Sequence, residues 1–337
     1  MKSISLKTII AFICLFTLFS CDNNPFDIKL NDKVEINVTR LDSAMFEPDY
    51  ETVVSTIDKF YVEYPDIFDI FMRRIARVGG PETRNFVDYL QLFLRNPEIR
   101  ESYDSIKVVY GDFSKQKNEI EKAFSYIKHY IPDFLVPEIY TVVSGFNESI
   151  LMTDSAITIS LDKFLGQNSI FYERVSVPRY MRKRSNPELL PVEVVRNWAY
   201  TEFENLDSVY NMANVMIYHG KILYLMDAAF PKYPDHLKIS FNENDIIWAK
   251  KSEKHMWAYI LDKKLLFNTD LREIKKYTDD APFVAVFGDD SPGRIGCWIG
   301  WQIVRSYMKK HPNVTVNELL EMNDHHQILI ESGYSPN

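Results

Sequence analysis

A mostly helical α+β body with one small sheet is what the order of apolar residues in this chain predicts. Long stretches carry apolar positions three and four residues apart, the spacing of a single buried helical face. Only a few short runs alternate or are rich in β-branched residues, and turn residues bound them as they bound strands. Hydrophobic residues make up 46% of the 337, enough to bury a sizeable core.

Taken in chain order, Val34-Glu35-Ile36-Asn37-Val38 alternates strictly and predicts a half-buried strand, with Arg40-Leu41-Asp42 leading out of it. Helices are then predicted over 50–63, 66–77, 82–95 and 113–130; in the last, Ile120, Phe124 and Ile127 mark one face. Pro65, Pro81 and Pro97 stand where such runs begin, a place at which a missing amide proton costs little, and Pro132 ends the last one. No catalytic cluster falls on these four helices, which read as scaffold. Residues 138–143 and 156–161 predict neighbouring strands of a small sheet. A polar loop is expected over 166–190, and Met181-Arg182-Lys183-Arg184 within it reads as solvated. Pro191 opens a helix with Val194, Val195, Trp198, Ala199 and Phe203 on its buried stripe. Further helices are expected at about 208–227, 243–264 and 293–310, with a last turn at 315–322.

The first residues have a different character. Lys2 and Lys7 precede the apolar run Ile9-Ile10-Ala11-Phe12-Ile13-Cys14-Leu15-Phe16, the charge-then-apolar layout of a secretory signal. Leu18-Phe19-Ser20-Cys21 closes it in the pattern of a bacterial lipobox, in which Cys21 is acylated and becomes the first residue. Three acyl chains exceed the two membrane signals that stable anchoring needs, at about 0.8 kcal/mol per buried methylene. The expected organisation is a signal peptide at 1–20, a lipidated tether at 21–33 and a single globular domain at 34–337. Within that domain a helical N-terminal half (34–135) precedes a C-terminal half (136–337). With Cys14 cleaved off and Cys21 lipidated, only Cys297 remains, so no intrachain disulfide is expected. Loss of two lysines and no acid with the signal takes the net charge from -8 to -10. An acidic body with no long basic tract argues against nucleic acid as a partner.

The C-terminal half carries a resemblance. Met216-Ile217-Tyr218-His219-Gly220-Lys221-Ile222-Leu223-Tyr224 and the segment from Ser291 to Val304, with Gly293, Gly296, Trp298, Gly300 and Trp301, are similar to the GldB family of gliding motility lipoproteins. The lipobox, Ile157-Thr158-Ile159-Ser160-Leu161-Asp162 and the terminal Ser332-Gly333-Tyr334-Ser335-Pro336 fit it too. The resemblance implies an envelope lipoprotein, lipid-anchored to a bacterial membrane with its body in the periplasm. It also implies a place among gliding-motility proteins and unidentified envelope partners.

That family in turn resembles a degenerate branch of zinc metallopeptidases, which would make the C-terminal half a zincin-like body. Such enzymes need His-Glu-x-x-His on a helix, two imidazoles four apart on one Zn²⁺ with the Glu activating water. The resemblance places Asn197 and Thr201 at the histidine positions and Trp198 at the general base. His219-Gly220 stands for the Glu-Gly pair of the next helix. No His-Glu-x-x-His occurs anywhere in the chain, and one imidazole cannot supply the three ligands of catalytic zinc. Asn197, Trp198, Thr201, His219 and Gly220 are therefore expected to form a vestigial cleft with neither catalytic nor metal role, and no cofactor is expected.

His219 by itself reads as a packed, hydrogen-bonded helix residue rather than a ligand, and the adjacent His325 and His326 would point about 100° apart. Gly288-Asp289-Asp290 reads as a turn, with Ser291 an N-cap and Pro292 the first helical residue. Gly296 and Gly300, four apart on a helix, make a bare stripe for close packing, flanked by Trp298 and Trp301. The function expected is a non-enzymatic envelope lipoprotein that holds other envelope proteins. The alternative is a membrane-anchored hydrolase with an unrecognised active site.

Overall fold

The computed structural model describes residues 24–204 and 210–336; the signal segment and Cys21 lie outside them. Strand β1 covers only Val38–Arg40, less than the alternation at 34–38 predicts. The reason lies on a later helix. The Val34 amide donates to Ser125 Oγ at 2.9 Å and the Ile36 amide to Glu121 Oε1 at 3.0 Å. An extended segment whose amides are satisfied by side chains needs no strand partner.

Helices follow: α1 (Leu41–Phe46), α2 (Tyr50–Glu63), α3 (Pro65–Ile70), α4 (Phe86–Arg95), α5 (Pro97–Tyr110) and α6 (Ser114–Tyr130). Asp49 caps α2 by accepting from the Thr52 amide. The helix expected to reach residue 77 widens into a π-turn at Phe71–Ile75, and α4 starts only after Asn85, whose φ is left-handed. The predicted helices omit α5. Asn96 caps it through the amides of Glu98 and Ile99, and Tyr103, Ile106 and Tyr110 form its buried face.

Strands β2 (Glu138–Val142), β3 (Ile150–Met152) and β4 (Ala156–Ser160) complete a sheet of order β1-β2-β4-β3. The first three in that order are parallel, with Val38 opposite Ile139 and Ile139 opposite Ile157; β3 runs antiparallel, with Ile150 opposite Ile159. β2 and β4 are neighbours in a mostly helical α+β fold. Every residue of β4 is buried, as parallel strands covered on both faces require.

The stretch 166–190 is not simply a loop, for it folds into α7 (Ile170–Arg174) and α8 (Arg179–Arg182). Then come α9 (Leu190–Glu202), α10 (Met212–Ala229), α11 (Asp235–Ile239), α12 (Glu243–Asp262), α13 (Leu271–Thr278), α14 (Ile295–Lys310), α15 (Val316–Glu321) and α16 (His325–Ser332). The start of α14 differs from the sequence reading. Ser291 Oγ bonds the backbone of Val284 and Gly288, and the helix begins after Arg294, which is left-handed. Ser291 is thus a turn residue and not a cap.

The apolar interior falls into two clusters that meet along α10. One joins the N-terminal helices, the sheet and α9 to Ile222, Leu225 and Met226. The other joins α12, α13 and α14 to Met212, Met216 and Leu223. A helix buried on two sides must be apolar nearly all round, and the sequence of α10 is. Among the described residues no helix is long and apolar enough to cross a membrane.

Candidate functional site

Helices α9 and α10 set the site. Pro191 lies in the first turn of α9, and Leu190, Val194, Val195 and Ala199 bury its inner face. Trp198 is on that inner face too, its ring meeting Phe124, Phe134 and Phe203 edge-on in the first core. Asn197 is partly buried and donates from Nδ2 to the Glu193 carbonyl at 2.8 Å. Thr201 is exposed and donates to the Asn197 carbonyl at 3.2 Å. The residue of α9 that meets His219 is a different one: the Tyr200 hydroxyl lies 2.8 Å from His219 Nδ1. Gly220 faces the other way, against the backbone of Gly300 on α14.

Around this pair lies a cluster of charges drawn from distant parts of the chain. Glu193 and Arg196 are buried one turn apart on α9 and are ion-paired. Arg196 also donates to the Lys238 carbonyl at 3.1 Å and to Ser240 Oγ at 2.8 Å, and Ser240 donates on to Glu193 at 2.9 Å. Arg294 donates to the Ile239 carbonyl at 2.7 Å. Arg184 Nη1 lies 2.9 Å from Asp280, and its Nε is 3.7 Å from Glu193. The basic run at 181–184, read from sequence as solvated, is therefore partly buried and engaged. Arg182 donates to the Val177 carbonyl, Lys183 pairs with Asp245, and Arg184 enters this cluster. The error is physical in origin: the carboxylates that draw these side chains in lie far along the chain.

Three guanidiniums against two carboxylates govern the titration of their neighbours. Burial, reinforced by Arg294, Arg184 and Arg196, pushes His219 down to about 3, so its ring is neutral at physiological pH. Burial alone would raise Glu193, but Arg196 and Arg184 outweigh it and hold the carboxyl at about 2. Burial raises the Cys297 thiol, which donates to the Thr278 carbonyl at 3.3 Å. A cavity of about 220 Å³ opens beside the cluster, bordered by Lys163, Arg184, Glu193, Asn197 and Asp280. Among the described residues no group of three or more His, Cys, Asp or Glu side chains is arranged to hold a metal ion. His325 is buried at the start of α16, close to Lys221, and His326 is exposed beside Phe267.

The Gly/Trp-rich helix α14 backs the site. A Cβ on Gly300 would sit 1.8 Å from the Met216 carbonyl oxygen of α10, and one on Gly220 would sit 2.3 Å from the Gly300 oxygen. One on Gly296 would meet the Tyr277 carbonyl at 3.0 Å, and one on Gly293, before the helix, the Ala281 amide at 2.6 Å. Trp298 and Trp301 are fully buried, donating to Glu253 and Asp227 respectively. Arg305 lies over the Trp301 ring and makes two bonds to Asp227. Sequence reasoning passes over Tyr200, Glu193, Arg196, Ser240, Asp280 and Arg294 and misreads Arg184 as solvated, and no local motif marks them.

No curated protein and no solved structure matches the chain. The Gly/Trp segment, the helices carrying Asn197 and His219 and the sheet all lie within one family match. The model of the gliding motility protein GldB family covers residues 22–336, and the chain belongs to that family of gliding-motility lipoproteins.

Proposed function

We propose that this chain is fixed to a bacterial membrane through an acylated Cys21, with its body in the periplasm. We propose further that it serves the gliding machinery by holding other envelope proteins rather than by catalysis. The surface around Asn197, Thr201 and His219 is the recognition face in this reading. Family membership supports the envelope role. The signal layout, the lipobox and the polar Asp22-Asn23-Asn24 support the anchor.

One observation supports the non-catalytic reading above the rest. His219 is buried and stands in the field of Arg294, Arg184 and Arg196, and burial first and that field second lower its affinity for a proton. What repels a proton repels a divalent cation more strongly, so this imidazole is a poor first ligand for zinc. Purified lipidated protein is expected to carry zinc far below one ion per chain, unchanged in His219→Ala. Stoichiometric zinc that His219→Ala removes would overturn the reading. Cys21→Ser, supplied to a gliding host lacking its own copy, is expected to leave that host unable to spread at equal protein level. Normal spreading with an unacylated protein would refute the anchor.

A further inference from the structure

Beside the point where the chain enters the fold, a cavity of about 770 Å³ opens between the N-terminal segment, α10 and the α14–α15 corner. Small-molecule sites typically have roughly 300–1,000 Å³. Phe26, Tyr130 and Tyr224 wall it, with the Phe26 ring meeting the other two edge-on at 5.5 and 5.4 Å, and Met308 and Val316 add further apolar surface. Lys309 at its rim is exposed, and the other charges that border it are matched to one another. Asp227 takes Arg305, Lys238 and the Trp301 indole, and Asp235 takes Arg305 as well. These paired groups make little call for an ionic ligand, and what the cavity offers is mainly apolar wall.

The position of the chain says what fills it. Asn24 lines the cavity and is pinned there by a 2.6 Å bond from its Nδ2 to the Pro231 carbonyl. Cys21 is three residues upstream, a separation that extended chain spans in at most about 11 Å. An anchor of three acyl chains has one more than stable attachment requires, so one can leave the bilayer without releasing the protein. We propose that this cavity holds one fatty acyl chain of the Cys21 anchor, clamping the body to its own lipid and holding this face against the membrane. The proposal rests on the acylation of Cys21 inferred above.

The test uses the full chain, made in a lipidating host fed a palmitate analogue with a terminal alkyne and a mid-chain diazirine. Alkyne label on the protein, absent in Cys21→Ser, reports acylation; ultraviolet crosslinks mapped on peptides report where the chain lies. Intrachain crosslinks to peptides containing Tyr130, Tyr224, Met308 or Val316 are expected. Met308→Trp, which sets a bulky ring in the apolar wall and narrows the cavity, is expected to weaken them while keeping the label. Labelled wild-type protein crosslinked only to membrane lipid, to a second copy or to other peptides would overturn the cavity proposal and leave acylation standing. Wild-type protein without label would overturn acylation, and the proposal with it.

Discussion

His219 is held neutral by its surroundings, and that has a consequence for stability. In the unfolded chain a histidine protonates near 6.5, whereas in the fold His219 does so only near 3. Between these values the unfolded state binds more protons, so stability falls as pH drops, by up to about 1.4 kcal/mol per pH unit for one proton. Glu193 works lower down: its contribution is complete above 4.5 and is lost as pH falls towards 2. The window from 6.5 to 4.5 therefore isolates the histidine from Glu193. His219→Gln keeps a side chain able to bond Tyr200 but takes up no proton. Its denaturation midpoint should fall less than that of wild type between pH 6.5 and 4.5; equal falls would contradict the burial and charge assigned to His219. Of this site the sequence shows His219 and Gly220 readily, since histidine beside glycine on an apolar helix is conspicuous. It hides Tyr200, which looks like packing, and Arg184, whose partners Glu193 and Asp280 are brought to it only by the fold.

At the scale of helices, the contact between α10 and α14 has the least tolerance. Replacing glycine by alanine inside a helix gains about 0.8–1.0 kcal/mol from propensity alone. At Gly300 the added carbon would lie 1.8 Å from the Met216 carbonyl, a backbone atom that moves only if the helices part. Overpacking of this kind costs about 1–3 kcal/mol or more and outweighs the propensity gain. At Gly296 the nearest atoms are at 3.0–3.4 Å, so a smaller shift suffices. Gly300→Ala should thus lower the unfolding midpoint clearly, and more than Gly296→Ala. The reverse order would show that the helices are not packed as described. The four-residue spacing of these glycines is plain in the sequence, but which backbone lies against them is not. Capping was legible only in part. Pro97 marks a helix start, but no predicted helix covers α5 and its Asn96 cap emerges only in the fold, while Ser291 and Pro292 mimic a helix start and belong to a turn.

Across the whole molecule, the mostly helical character and the small sheet are written in local periodicity, because long helices such as α6 and α9 show a buried stripe and β4 its apolar run. The parallel pairing of β1, β2 and β4, the added strand β3 and the sharing of α10 between two cores are not, because they depend on contacts between distant segments. The same limit applies to attachment. The fold is already ordered at Asn24, docked on Pro231, so little chain separates it from Cys21. If the chain works as a lipid-anchored protein of its family, its mature form must start there. Mass spectrometry of the N-terminal peptide from the native membrane tests this most directly. The expected peptide begins at Cys21 and carries a diacylglyceryl thioether and an amide-linked acyl chain; a mature chain beginning elsewhere, or an unmodified Cys21, would contradict it.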